Sequence, residues 1–253
     1  MRFLTYNIKD GGSGREELIA QIIEASRVDV VVLQEVTTRE FVERLAEQLA
    51  LHFFFAQGNS IRHLGILSRL PLSNCSSYHP FPLQHALLEA EIEVSAHQRI
   101  AIFGIHLSAP AFTLASELYR QWEARTILSR IAQKSPKAFI MAGDCNAIAP
   151  NDTVEISKLP FSLRLSILLH GNIIFRQAIQ TIERAGLVDA FRKMNPDASG
   201  YTLPASVPNA RLDYIFVNSA LAEKIRVCEP VTQPPDVMRA SDHLPLLMEI
   251  DIG

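Results

Sequence analysis

The sequence predicts an α/β protein in which mixed β-sheets are covered by helices. Three observations carry this. In the first half, apolar residues at helical spacing alternate with short apolar runs of strand character. Residues 52–107 then break into short strand-like runs separated by turn signals. Further strand runs close the chain. No internal repeat, low-complexity tract or Ser/Gly-rich linker interrupts the 253 residues, so 1–253 is read as one domain.

Residues 2–7 form the first β run. Residues 15–26 place Leu18, Ile19, Ile22 and Ile23 at helical spacing, with Ser13 as a candidate cap and Glu16 three positions on. In DVVVLQEV, Val30 to Leu33 reads as a strand buried on both faces. Helical spacing returns over 38–50. Turn signals follow at Gly58-Asn59, Pro71 and Pro80-Phe81-Pro82. Segments 86–94 and 98–106, joined through Ser95-Ala96-His97-Gln98, read as a hairpin. A long helix is expected over 112–133 and a strand over 137–144, with 150–172 irregular and a helix near 174–185. Strands are expected near 212–217, 224–229 and 244–250.

Composition narrows the function classes. A net charge of −3 supplies no overall positive field to draw the protein to nucleic acid. Cys75, Cys145 and Cys228 form neither a CxxC nor a Cys/His cluster, and an odd, scattered set suits a reducing compartment. The N-terminus has no secretory pattern. The most apolar region, Leu159 to Phe175, is interrupted by Arg164 and His170, so no transmembrane span is expected and the localisation is read as cytoplasmic. GxSxG and P-loop motifs are absent.

Polar residues fall where apolar strands stop. Asn7 ends the first strand, Glu35 ends VVVLQE, and His106 ends IAIFGIH. Asp144 ends AFIMAGD with Asn146 two residues on. Asp213 opens LDYIFV, and Asp242-His243 precedes LPLLMEI. Charged groups at buried strand ends are costly unless paired or metal-bound. Gathered in one pocket, these carboxylates would repel one another unless a cation neutralised them, and hard oxygen ligands suit Mg²⁺ or Mn²⁺ better than zinc.

The ordered set Tyr6-Asn7, Leu33-Gln34-Glu35-Val36, His106-Leu107, Gly143-Asp144-Cys145-Asn146, Arg211-Leu212-Asp213-Tyr214 and Ser241-Asp242-His243 resembles the endonuclease/exonuclease/phosphatase (deoxyribonuclease I-like) superfamily. Gly65-Ile66-Leu67-Ser68-Arg69-Leu70-Pro71 adds to that resemblance, which runs from residue 6 to 243. It implies a four-layer sandwich, two mixed β-sheets packed face to face with helices outside. It also implies a metal-dependent hydrolase acting on a phosphate ester by in-line attack of water.

The same resemblance assigns roles. Glu35 is the principal metal ligand, with Asn7 and Asp242 beside it. His243 pairs with Asp213 and either neutralises phosphate charge or accepts a proton. Asp144 orients or deprotonates water, Asn146 donates to a phosphate oxygen, and His106 is a second phosphate contact. Cys145 faces the core. The bland alternatives are a solvated Glu35, a core His106, a turn at Asp242-His243, and an ion pair between Asp213 and Arg211. Some relatives carry an acid or amide where this chain has Lys9, so one bound ion is favoured. Lys9 is then a phosphate contact or a solvated lysine, and Asp10 faces away if the strand continues.

Substrate identity is less constrained. Nuclease and other phosphodiesterase readings lead, with a lipid-headgroup or inositol/sugar-phosphate esterase behind them and a non-catalytic binding module as a different class. Arg62, Arg69, Arg164, Arg176 and Arg239 are the scattered candidates for phosphate contacts, and Phe112, Trp122 and Tyr201 for base stacking. Phe161, Leu163, Leu165, Ile167, Leu168 and Leu169 around Arg164 form either an apolar lip for a lipid or aromatic group, or a helix packed on the core. Full burial of that segment would dispose of the lip.

Overall fold

The computed structural model describes residues 1–95, 98–109 and 113–252. Two six-stranded mixed sheets form the framework. The first runs β11-β12-β1-β2-β4-β3, with β1 Arg2–Asn7, β2 Val30–Val36, β3 His52–Ala56, β4 His63–Ser68, β11 Ile225–Pro230 and β12 Leu246–Ile250. The second runs β5-β6-β7-β8-β10-β9, with β5 Leu72–Tyr78, β6 Leu87–Ser95, β7 Gln98–His106, β8 Phe139–Asp144, β9 Val188–Asp189 and β10 Asp213–Val217. Each sheet has one parallel pair, β1 with β2 and β7 with β8, at its centre. A parallel neighbour requires a crossover, and helices supply both.

The helices are α1 Glu16–Ala25, α2 Arg39–Leu49, α3 Leu114–Lys134, α4 Phe161–Leu169, α5 Gln177–Arg184, α6 Ala190–Met194, α7 Ser219–Ala222 and α8 Val237–Ala240. The core has three main parts, as four layers require. Phe3, Val30, Val32 and Ile66 meet Leu88, Ile102, Ile140 and Ile215 between the sheets. Leu4, Val31 and Leu33 pack on Ile19, Ile22 and Val42 of α1 and α2, while Phe103, Ile105 and Met141 pack on Ala124, Ile127, Ile179 and Ile182 of α3 and α5. The four-layer sandwich expected from the resemblance is present.

Local chemistry explains the helix boundaries. Thr38 accepts the Phe41 amide at 3.2 Å to start α2, which stops where Ala50 turns left-handed at φ 52°. Thr113 and Ser116 form a reciprocal capping box for α3. Ser13, by contrast, does not cap α1. The cap position is Arg15, without a side-chain bond, and Glu16 and Glu17 instead complement the first turn of the helix dipole.

The 86–94/98–106 hairpin is present as antiparallel β6 and β7; Ala96 and His97 of its turn lie outside the described residues, as does Phe112. Segment 150–172 is not irregular throughout. It contains a short 3-10 turn at Ile156–Lys158 and the helix α4.

Candidate active site

The site forms at the carboxyl ends of the two parallel pairs, where helices leave room for a ligand. Asp144 closes β8, and its register partners are His106 on β7 and Asp213 on β10. Three adjacent strand positions thereby bring three polar side chains together. The preceding Gly143, at φ 155°, lies so close to β7 that a Cβ would fall 1.8 Å from the Ile105 carbonyl oxygen, so that approach requires glycine.

The other sheet faces them. Asn7 ends β1 and lies fully buried, and its amide nitrogen donates to Asp144 Oδ2 at 3.0 Å and Glu35 Oε1 at 3.3 Å. One side chain thus ties the two sheets together at the site. Glu35 does not simply end its strand. It sits in a bulge between Gln34 and Val36 at φ 61°, which turns its carboxylate toward the Asp10 amide (2.9 Å) and Arg62 Nε (3.2 Å). Lys9 at φ 53°, Asp10 at φ 44° and Asn146 at φ 47° share this left-handed conformation, so strained backbone gathers around the site.

His243 reaches in from the segment before β12. Ser241 pins that segment by donating to the Asn7 carbonyl at 2.7 Å and accepting the His243 amide at 3.2 Å. Nδ1 of His243 lies 2.8 Å from Asp213 Oδ2, and Nε2 lies 3.8 Å from Asp144 Oδ2. Burial opposes charge on this ring, but Asp213 and Asp144 outweigh it and raise its pKa to about 10. It is an imidazolium at neutral pH. Burial also pushes the Asp144 carboxyl above the usual carboxylate range, Asp213 adds to the rise, and His243 opposes it.

The second imidazole is different. His106 Nε2 lies 3.6 Å from Asp144 Oδ2, and its ring stacks on His85 with centroids 4.1 Å apart. Burial, then His85, then His243 hold His106 well below its ordinary pKa, so it is neutral. His85 is also buried and neutral, its pKa lowered to about 4 mainly by burial, with Nδ1 near Ser60 Oγ and the Arg62 carbonyl.

The remaining sequence candidates find these places. Asp242 is half-buried and meets Lys9 Nζ at 3.1 Å. The chain turns after Asn7 instead of continuing as strand, which brings Asp10 into the site, where it accepts from Arg62 at 2.7 Å. Asn146 donates through its amide side chain to the Leu107 carbonyl at 3.0 Å and through its backbone to Asp144 Oδ1 at 2.8 Å. Cys145 faces the core as expected. Arg211 does not pair with Asp213. It is buried against Asp152 (2.7 Å) and Asp189 (2.6 Å), a network invisible in the sequence because both partners lie far from Arg211 along the chain. Arg62, a sequence candidate for a phosphate contact, instead pairs with Glu35 and Asp10 at the site, while His85 was missed because it does not fall at the end of an apolar run.

Among the described residues, Asp144, Asp213 and His243 bring potential ligand atoms within 4.8 Å of one another. This group is a poor cation site, because a protonated His243 donates hydrogen bonds and offers no lone pair. Glu35 and Asp242 are the better fit. Both are half-buried carboxylates held by cationic side chains that an incoming ion could displace, and their oxygens suit a hard divalent metal.

The sequence matches the Endonuclease/Exonuclease/phosphatase family over residues 4–243. The chain belongs to that family and is a metal-dependent phosphoesterase. No curated protein gives a significant sequence match. Among solved structures it is similar to an AP endonuclease from Archaeoglobus fulgidus, at TM-score 0.76 and 20% identity over 100% of both chains. A 3'-5' exonuclease from Neisseria meningitidis gives TM-score 0.78 and 18% identity, covering 99% of this chain and 100% of that one. An endonuclease/exonuclease/phosphatase protein from Beutenbergia cavernae gives 0.77 and 23%, covering 100% of this chain and 72% of that one.

Proposed function

We propose that the chain is a single-domain phosphodiesterase that binds one Mg²⁺ or Mn²⁺ ion at Glu35, Asp242 and Asn7 and hydrolyses its substrate by in-line attack of water. The observation that carries this reading is the placement of Asp144 Oδ2 within 3.8 Å of one imidazolium and 3.6 Å of one neutral imidazole. Asp144 orients the attacking water and takes its proton, a role its raised pKa favours. His243, kept charged by Asp213, neutralises the phosphate oxygens as negative charge builds. His106 contributes a neutral ring, and Asn146 donates to a phosphate oxygen once substrate competes with the Leu107 carbonyl. Asn7 holds Glu35 and Asp144 at a fixed separation. A bound divalent ion supplies Lewis acidity at the phosphate and stabilises the leaving oxygen. Lys9 on Asp242 supports one ion rather than two.

A nuclease is one form of this reading and rests on the likeness to nuclease structures. Three of the five candidate arginines are engaged elsewhere. Arg69 pairs with Asp29, Arg239 with Asp236, and Arg176 donates to the Ala149 and Asp152 carbonyls. Tyr201 bonds Thr153, and Trp122 packs edge-on against Phe81. A lipid-headgroup ester is the second reading, favoured by the exposed apolar face of α4. No helix among the described residues is long and apolar enough to cross a membrane. Free Cys75, Cys145 and Cys228 support the cytoplasmic assignment.

Hydrolysis of bis(p-nitrophenyl) phosphate beside p-nitrophenyl phosphate, with Mg²⁺, Mn²⁺ or excess chelator, tests the core claim. Metal-dependent cleavage of the diester is expected. Cleavage of the monoester alone would replace the diesterase reading with a phosphatase one, and turnover that survives the chelator would remove the metal.

A further inference from the structure

Helix α4 has two apolar faces and the protein uses only one. Leu163 and Ile167, four residues apart, pack with Ile148, Leu159, Ala210 and Leu212 in a small satellite core. Phe161, Leu165, Leu168 and Leu169 fall at i, i+4, i+7 and i+8, a single stripe on the other side. They are exposed by 71%, 41%, 61% and 76%. Four large apolar side chains on one side of about two turns of surface helix are not scattered exposure. They are a patch of the kind that marks a binding surface.

Its charge surroundings identify the occupant. Arg164 lies inside the stripe, three residues after Phe161 and four before Leu168, and among the described residues its guanidinium has no partner. No aspartate or glutamate occurs in residues 156–182 or in 198–212, although the whole chain carries a net charge of −3. These two segments are the walls of an apolar groove of about 320 Å³ beneath α4, lined by Leu159, Pro160, Leu163, Leu203, Pro204 and Leu212 among others. The groove adjoins the catalytic residues. Leu212 precedes Asp213, and the Ala205 amide after Pro204 donates to the Asp242 carbonyl at 2.6 Å.

We propose that the outer face of α4 docks on an anionic lipid bilayer, with Phe161, Leu165, Leu168 and Leu169 in the headgroup–acyl boundary and Arg164 on lipid phosphates. An amphipathic helix rich in Leu and Phe, with basic and no acidic residues, binds such an interface through buried apolar area plus attraction to negative headgroups. A second copy of the chain fits less well. A two-fold contact through this stripe would bring both Arg164 side chains into an apolar interface that offers no carboxylate. A nucleic acid has no use for four exposed apolar side chains and would find one free cation here. Docking in this way would hold the groove and the active-site mouth beside the membrane. The inference concerns the docking surface and stands whatever ester the site hydrolyses.

Vesicle flotation of the full chain tests it without any activity readout. The wild type is expected to float with phosphatidylcholine vesicles containing phosphatidylserine, and less with phosphatidylcholine alone. A Leu168→Glu/Leu169→Glu variant should partition at least about tenfold more weakly. Phe161→Ser, a milder exposed change, should act in the same direction and covers any folding defect of the double variant. Arg164→Ala should lose about fivefold on anionic vesicles and little on neutral ones. The proposal is overturned if the wild type ignores anionic vesicles or if partitioning is the same in all variants. It is equally overturned if the glutamates abolish a dimer seen by sedimentation equilibrium, or if Arg164→Ala abolishes retention on duplex DNA, in the absence of vesicle binding.

Discussion

Glu35 and Asp242 stand at the solvent edge of the site, each held by a cationic side chain, Arg62 or Lys9. Asp144, Asp213 and His243 lie behind them, buried, with no lysine or arginine within ion-pair distance among the described residues. The two groups are built from similar residue types and solve their electrostatics oppositely. Partly exposed ion pairs are worth about 0–1 kcal/mol, so Lys9 and Arg62 can give way to a metal ion. A buried carboxylate that loses its only counter-charge costs about 3–5 kcal/mol, so the Asp213–His243 pair is fixed. The open half is suited to exchange a ligand, and the closed half to hold one protonation pattern.

The largest effect should come from breaking the closed half. His243→Ala removes the imidazolium facing Asp144, and kcat should fall about 10³-fold at saturating metal. Metal affinity measured by calorimetry should change little, since His243 is not a ligand in this scheme. A variant that loses metal binding in parallel with activity would erase the division between the halves. Glu35→Gln should cost less, about 10²-fold under the same assay, and raised Mn²⁺ or Mg²⁺ should restore part of it. Failure of any metal concentration to restore turnover would place Glu35 in the chemistry rather than in the metal site.

A third contrast is in stability. Burial lowers the pKa of His85 to about 4, from an ordinary value of 6.5, so its neutral ring is the form the fold prefers. The stabilisation is then complete above the ordinary pKa and is lost as pH falls through it toward 4. Between about pH 7 and about pH 5, His85 alone should cost about 2 kcal/mol, with His106 shifted in the same direction and adding to the loss. Urea midpoints at the two pH values measure this. His85→Gln should be less acid-sensitive than the wild type; equal sensitivity would move the cause elsewhere.

What was legible in the sequence follows a physical rule. Asn7, His106, Asp144 and Asp213 stand out in the sequence because each ends or opens an apolar strand, where a polar residue needs a reason, and the structure brings these four side chains together. Glu35 was found the same way, but not its bulge, since a glutamate at φ 61° leaves no mark that a glycine would. His85 lies in a short connection with no periodicity, and its stack on His106 exists only once two sheets meet. Arg211 and Asp213 were placed on one face by strand alternation. The strand starts only at Asp213, so alternation does not reach Arg211. For the apolar residues of 161–169 the sequence offers a lip or a core-packed helix, and α4 is a helix that packs on the core through Ile167 alone among its fully buried residues. An apolar stripe on each side hides its 3.6-residue period within a segment that otherwise reads as irregular.

The smallest expected effect is the most informative about ion number. Lys9 Nζ, 3.1 Å from Asp242 Oδ2, occupies space and charge that a divalent ion at Glu35 and Asp242 must contend with. Lys9→Ala should therefore tighten Mg²⁺ or Mn²⁺ binding by about fivefold, the scale of one partly screened charge near a carboxylate. The calorimetric stoichiometry should stay at one ion, because no new ligand is introduced. Lys9→Asp adds a carboxylate beside Asp242 and should allow a second, weaker ion. Weaker binding in Lys9→Ala would mean that the lysine orients Asp242 for the metal rather than competing with it. In that case the open half would be as preorganised as the closed one.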